Sequence, residues 1–412
     1  TGVKKYRDEH LGGMIGLERT VLPLFAEQKF HLASALTLLS FIAAFGAAKA
    51  AANYLTGYLS DRVGRKALLV AGWVLALPVP YLLYAAPQWA WVVGAHVLLG
   101  MHQGLAWSST VVMKIDLVGE RQRGLAMGLN EFAGYVALAL TAWGSAQVAH
   151  QVGAEHVLLY GGWGVAGIGL ALSVFGVRDT HAHVALEAAR SCRKQMTQVF
   201  RQVTWRHPNL SSITHAGWAN NLNDGMVWGM LPLLLQRQGY SLVQIGWVTG
   251  LYPLVWGVAQ VFSGQWSDRV SKRQMLALGM LLQACALLGL LWADGLAAYL
   301  CVSALLGLGT ALVYPVFMAA IADNVHPLQR AESIGVFRLW RDLGYVFGAV
   351  LTGLLMDWAG IGAAIETVAF LTAASAAQIL YRMTDVPPCD APPPASLCRL
   401  LKNLLTPAGK GR

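Results

Sequence analysis

Charge is scarce in this chain. Of 412 residues, only 12% are Asp, Glu, Lys or Arg, and 56% are hydrophobic. A water-soluble domain carries about a quarter charged residues, so the sequence does not read as one. Cysteine is scarce too: Cys192, Cys285, Cys301, Cys389 and Cys398 form an odd set without a CxxC pair. That argues against a disulfide framework and against a cysteine metal cluster. No phosphate-cradling loop, metal-ligand spacing or nucleophile motif is present, so no enzyme activity, metal or cofactor is expected. The net charge of +9 is spread along the chain. It suits loops facing anionic lipid headgroups better than a nucleic acid surface. The opening stretch "TGVKKYRDEH" is polar and lacks the apolar core of a cleavable leader.

What the chain does have is long apolar runs, each near the ~20 residues that cross a bilayer. They fall at 33–60, 67–86, 89–115, 124–148, 156–177, 211–236, 242–267, 274–293, 296–322, 331–357 and 360–382. A twelfth candidate comes first, Leu11 to Phe25, short and carrying Glu18 and Arg19. The predicted class is an all-α polytopic membrane protein in the lipid bilayer, with twelve spans and a shortened first one. Lys and Arg sort to one side of these spans. Arg62, Arg65, Lys66, Arg121, Arg123, Arg269, Lys272, Arg273 and Arg330 share it, whereas only Lys29 and Arg237 lie opposite. The basic side reads as cytoplasmic, and an even number of spans puts both termini there.

The charged stretch "GYLSDRVGRK", Gly57 to Lys66, returns as "GQWSDRVSKR", Gly264 to Arg273. The spacing of 207 residues also pairs Gly100 with Gly307, Asp116 with Asp323, Arg123 with Arg330 and Gly128 with Gly335. Apolar helices resemble one another, but that does not place Asp on Asp at helix ends. The chain therefore reads as a duplication. Residues 1–177 form one six-helix bundle and 211–383 a second. A basic linker, 178–210, joins them, and a Pro-rich tail, 384–412, follows on the cytoplasmic side. Two parallel repeats of this kind are a secondary-transporter layout.

The first loop fits G-x-L-[SA]-D-R-x-G-R-[KR] at each fixed position, between the second and third spans. In this the chain resembles the major facilitator superfamily, over essentially its whole length. The resemblance implies two six-helix bundles related by a pseudo-two-fold axis, working by alternating access on a small solute. It implies that Gly57, Asp61, Arg62, Gly64, Arg65 and Lys66 gate the cytoplasmic seam. Asp61 would face the N-terminus of the eleventh span, where free N–H groups favour a carboxylate. Gly57 would allow close approach and Gly64 a tight turn. Arg62, Arg65 and Lys66 would meet Asp116, Glu120 or lipid phosphate. Gly264, Asp268 and Arg269 would be a relaxed counterpart against the fifth span, with Arg123 and Arg330 nearby.

Ionisable groups at membrane depth are costly and mark function. Glu18, Arg19, Lys49, Glu131, Asp224, Arg338, Arg341 and Asp342 are the candidates, and their charges balance. They form either a locking network or a cavity with proton and substrate sites. The resemblance favours a cavity lined by spans one, four, seven and ten. Asp224 is the first choice for protonation, tuned by Asn220 and Asn223, and Glu131 the second. His96, Gln103, Trp107 and Thr110 recur at helical spacing as one cavity-facing stripe. Two departures weaken a drug/proton antiporter reading: Gly100 stands where many proton-coupled members carry Arg, and the fifth span lacks Pro.

The expected function is a secondary transporter of a small organic solute, by proton-coupled efflux. The proton gradient would drive it, and the protein would be a monomer in a bacterial inner membrane. The alternatives are a proton-coupled uptake symporter, or a member of the fold that does not transport.

Overall fold

The computed structural model describes residues 35–118, 122–152, 156–177, 179–180, 184 and 193–386. The expected first span, with Glu18 and Arg19, lies outside the described residues, as do 178, 181–183 and 185–192 of the linker and the tail beyond 386. Within lipid every backbone N–H and C=O must find a partner inside its own segment, so apolar runs this long become helices. The first half comprises α1 (Ala35–Val63), α2 (Arg65–Ala76), α3 (Val79–Tyr84), α4 (Trp89–Leu117), α5 (Arg123–Val152) and α6 (Gly162–Ala171). The second comprises α7 (Pro208–Arg237), α8 (Leu242–Ser267), α9 (Lys272–Gly289), α10 (Leu296–Asn324) and α11 (Arg330–Arg382).

Local chemistry sets several boundaries. Pro78 and Pro80 interrupt one apolar run, dividing it into α2 and α3, yet Arg65–Tyr84 remains long and apolar enough to cross a bilayer. The same holds for Val157–Gly176, in which π turns flank α6. A capping box starts α8: the Ser241 side chain accepts from the Gln244 N–H, and the Gln244 side chain answers on the Ser241 backbone. Helix α11 runs for 53 residues, about 80 Å at 1.5 Å per residue. That is far more than one bilayer, and a break at Gly360 (φ 86°, ψ 173°) divides it into two spans. Among the described residues this makes eleven helical segments, at the places where the apolar runs predicted spans.

Three apolar clusters hold the bundle together. One lies in the first half, around Trp73, Leu83, Leu99 and Ala106. A second lies in the second half, around Met226, Trp256, Leu287 and Val368. The third belongs to both halves. It joins Val112 and Ile115 of α4 to Ile213 of α7, Phe317 of α10 and Ile334 and Phe337 of α11. This shared cluster lies at the bundle end that carries the two charged loops, so the halves are sealed to each other there.

Two helix crossings flank the seal. A Cβ on Gly57 of α1 would stand 2.5 Å from the Ala331 carbonyl oxygen and 2.7 Å from the Cα of Gly335 in α11. A Cβ on Gly264 of α8 would stand 2.4 Å from the Gly124 oxygen and 3.1 Å from the Cα of Gly128 in α5. All three pairs of positions, 57 with 264, 331 with 124 and 335 with 128, differ by 207. The sequence repeat is therefore a structural pseudo-two-fold that exchanges the two crossings.

These contacts give a stability test. Gly264→Ala should destabilise by about 1–3 kcal/mol, the usual cost of overpacking. Gly250→Ala, in the same helix with open space around it, should be neutral or gain up to ~1 kcal/mol of helix propensity. Thermal unfolding in detergent separates the two, and equal midpoints would contradict the close crossing.

Candidate functional site

The loop end carries two ion clusters. In the first, Arg65 Nε lies 2.8 Å from Asp116 Oδ2, and Arg65 Nη2 donates to Asp61 Oδ1 at 2.9 Å. Arg330, the first residue of α11, donates from Nη1 to Asp116 Oδ1 at 3.1 Å. Thr180 adds a hydroxyl on Oδ2 at 3.1 Å. Asp116 thus ties its own half, through Arg65, to the other half, through Arg330. In the second cluster Arg123 donates to Asp323 Oδ1 at 3.0 Å, and Lys272 Nζ lies 3.0 Å from Oδ2. Arg65 and Lys272, Asp116 and Asp323, and Arg330 and Arg123 are each 207 apart. The clusters differ in depth. Side chains of the first are at most 1% exposed at Arg65, Asp116 and Arg330; in the second Arg123 is equally enclosed at 1%, whereas Asp323 is 17% and Lys272 20% exposed. Desolvated ion pairs are screened less and respond more sharply to loss of one member.

The carboxylates of the two loops part company. Asp268 reaches across the seam to the N-terminus of α5 and accepts from the Gly124 and Leu125 N–H groups at 2.8 and 3.0 Å. Burial pushes its carboxyl up from the ordinary range, while those two N–H donors pull it back. This clasp was expected of Asp61 on α11. Asp61 instead holds Arg65 and is one-third exposed. Glu332 stands in the first turn of α11 and feels the Asp61 charge. Its equivalent in α5 is the uncharged Leu125. A carboxylate already there makes that helix start less welcoming to a second one.

The loops also turn differently. Gly64 adopts φ 91°, a region that suits glycine, and the Lys66 N–H that follows is capped by Asp179 at 3.0 Å. Ser271, its counterpart, has an ordinary φ of −54° and caps α9 by accepting from the Gln274 N–H. Lys66 Nζ donates to the Val174 carbonyl at 2.8 Å. Arg62 lies outside the seam, 4.5 Å over the Tyr58 ring, and Arg269 is exposed at the equivalent place.

Farther from the loops, a polar layer joins the halves. Asp342 accepts from Arg341 Nε and Nη2 at 2.8 and 2.6 Å, from Asn221 at 3.4 Å, and from Asn53 of α1. Asn53 in turn accepts from Ser108 of α4, which receives Arg338 Nη1 at 3.0 Å. Lys49 lies 5.6 and 5.9 Å from the ring centres of Phe45 and Trp107. Trp107 Nε1 donates to Glu131 at 3.3 Å, and Asn130 donates to the same oxygen at 3.0 Å. Asp224 accepts from Tyr252 and, at 3.3 Å, from Tyr345. Trp256 stands between Tyr135, at 4.5 Å, and Tyr314, at 5.1 Å, and Arg341 lies 5.3 Å over Tyr314.

Lys49, Trp107, Glu131, Asp224, Arg338, Arg341 and Asp342 therefore share one layer. Three expected members turn elsewhere. His96 Nδ1 lies 2.8 Å from the Val92 carbonyl oxygen and its ring 4.6 Å from Phe41. Gln103 is fully buried where α4 runs against α1, beside the close approach of Gly104 to Asn53. Of that stripe, only Trp107 reaches the charged layer. Asn220 accepts from Gln283 of α9 at 3.0 Å, and Gln283 accepts from Asn223 at 2.9 Å. Thr372 adds a bond to Asn223 at 2.6 Å. These amides bind α7 to α9 and α11, so the neighbours of Asp224 are tyrosines rather than Asn220 and Asn223. The sequence places Tyr345 on one face with Arg338, Arg341 and Asp342, but Tyr135, Tyr252, Trp256 and Tyr314 give no such signal, since aromatic residues in apolar spans read as packing. Sequence reading also passed over the Lys272–Asp323 pair, which the repeat would have located by adding 207 to Arg65.

Known proteins agree with this architecture. The Major Facilitator Superfamily profile matches twice, over residues 13–219 and 213–407, so each half is matched separately. An uncharacterized MFS-type transporter of Salmonella typhimurium is 23% identical over 361 residues, covering 84% of this chain and 87% of that protein. The multidrug resistance protein MdtH of Aeromonas hydrophila is 27% identical over 122 residues, 28% of this chain and 31% of its own length. Among solved structures, the human organic anion transporter MFSD10 (TETRAN) superposes with a TM-score of 0.74 at 16% identity, over 90% of this chain and 97% of its own. The proton:xylose symporter XylE gives 0.72 at 15% identity, over 92% and 94%. At these identities the structures speak for the fold alone. With both halves matched by the family profile, the chain belongs to the Major Facilitator Superfamily.

Proposed function

We propose that this chain moves a small organic solute across a bacterial inner membrane by proton-coupled efflux, through alternating access. The observation that carries the reading is the pair of ion clusters on Asp116 and Asp323. Each takes its carboxylate and one cation from one half, and its second cation from the other. Contacts so placed break when the halves rock apart and re-form when they return. A purely structural lock has no need of a duplicated, exchange-symmetric arrangement at one end of the bundle. The concentration of Lys and Arg supports a cytoplasmic position for this end, with both termini on the same side. The two halves are then 1–177 and 211–383, connected by the linker 178–210.

In the present arrangement the loop end is latched and the polar layer lies beyond it. Buried ion pairs add little net stability, because desolvation offsets their attraction. They are therefore suited to hold one of two states of nearly equal energy. Asp224 is the proposed proton carrier. It sits between the hydroxyls of Tyr252 and Tyr345, which can satisfy either the charged or the protonated carboxyl. The partial similarity to a multidrug resistance protein supports efflux as the direction.

Two outcomes are expected. Asp116→Asn leaves Arg65 and Arg330 buried without their carboxylate and should cost the latched state about 3–5 kcal/mol. Asp323→Asn strands the enclosed Arg123 but leaves the partly exposed Lys272 to water, and should cost less, about 1–3 kcal/mol. A cysteine placed at the buried Ser333, with the native cysteines replaced, should label with a thiol reagent much faster in Asp116→Asn than in Asp323→Asn; equal rates would count against the latch. Asp224→Asn should abolish pH-driven solute movement in reconstituted vesicles and leave solute exchange intact. An unchanged dependence on the pH gradient would remove Asp224 from the coupling role.

A further inference from the structure

Positions 207 apart are equivalent in this fold, and at the loop end they carry the same chemistry. In the polar layer they do not. Lys49 is equivalent to Trp256, Arg338 to Glu131, Asp342 to Tyr135 and Trp107 to Tyr314. One pseudo-two-fold site thus holds Lys49, Arg338 and Arg341 around Asp342, with an excess of positive charge. Its mate holds Glu131 with an aromatic group built on Trp256, and Asp224 lies beside it on Tyr252.

The two poles lie close together. Tyr314 touches both, its ring 5.1 Å from Trp256 of one pole and 5.3 Å from the Arg341 guanidinium of the other. Its ring is open in part, as are those of Trp107, Tyr135 and Tyr345, although all four lie well inside long helices. Each pole also keeps unmet hydrogen-bonding capacity. Trp256 Nε1, both amide atoms of Gln260 and Arg338 Nε are buried and have no hydrogen-bond partner. Buried groups of this kind cost free energy unless something satisfies them.

We infer that the transported solute is a zwitterion, with an ammonium head for the Glu131 and Trp256 pole and a carboxylate or similar oxyanion for the Lys49 and Arg338 pole. The inference rests on the transporter reading and names its substrate class. A solute with one charge would meet one pole and leave the other without its counter-charge, at a high desolvation cost. A neutral solute would leave both poles as they are. A zwitterion compensates both and leaves the total charge unchanged. Its ammonium meets both a carboxylate and aromatic faces, which attract cations, and its oxyanion meets guanidinium donors.

Two probe trios share a skeleton and differ only in charge: phenylalanine, 2-phenylethylamine and 3-phenylpropionate, and 4-aminobutyrate, butylamine and butyrate. Binding to the full chain in detergent is read by calorimetry and by the shift in thermal midpoint. In at least one trio the zwitterion should bind about tenfold or more tightly than both single-charge members, the step of one charge-assisted contact. A single-charge member that binds equally well would overturn the inference, and so would the absence of zwitterion binding in both trios. Glu131→Gln should weaken the ammonium-bearing probes and spare the carboxylate-only probe; Lys49→Gln should do the reverse. Equal loss for all probes in both variants would assign the poles a structural role and overturn the inference. Counterflow in vesicles keeps the two readings apart. A single-charge solute that is carried overturns the zwitterion site and leaves transport standing, whereas a zwitterion that binds without being carried upholds the site and removes transport.

Discussion

A charge taken out of water must find an opposite charge or a set of hydrogen bonds within reach, and the interface between the halves is organised by that requirement. Asp116 is held between Arg65 and Arg330, and Asp342 between Arg341 and Asn53. In each case at least one partner comes from the other half. The pairing that makes burial tolerable is also what makes the halves register with each other. Removing one member leaves its partner stranded in a medium that cannot solvate it. The two halves are therefore coupled through what they cannot bury alone.

Close packing makes this coupling specific. The Gly57–Gly335 and Gly264–Gly128 crossings bring backbones together at the same end as the ion clusters. Side chains there need little reach, and Arg65, Asp116 and Arg330 can be almost fully enclosed. The apolar cluster that runs from Ile115 to Ile334 excludes water from the same region. Charge, close approach and apolar seal thus act on one end of the bundle, and the polar layer with its partly open aromatic rings begins beyond them.

Much of this was legible in the sequence. Apolar runs located the eleven described helical segments, because a lipid-embedded backbone leaves few alternatives. The 207-residue repeat located the seam, because two copies of one helix pair must meet in equivalent ways. The faces of individual helices were harder to read. A stripe at i, i+4 and i+7 defines a side of a helix, but the neighbour on that side depends on the crossing. His96 and Asn220 were drawn toward the cavity by such stripes, yet they meet Phe41 and Gln283. Tyr135, Tyr252 and Tyr314 gave no signal, since an aromatic ring in an apolar span is usually packing. Asp61 and Asp268 have the same local sequence, and what distinguishes them is Glu332 against Leu125 on the facing helix. No local pattern within either loop contains that difference.

The break at Gly360 has a mechanical meaning. A single non-helical residue joins the two spans of α11, so there is no slack between them. The first span begins at the latch with Arg330. The second ends where Asn209, at the start of α7, holds the Thr384 backbone through bonds of 2.8 and 2.9 Å. A tilt of the first span is passed to the second as a lever passes a load, and the second is moored at its far end. The contact of Arg330 with Asp116 at one end and that of Asn209 with Thr384 at the other are thus joined by helix interrupted at one residue alone.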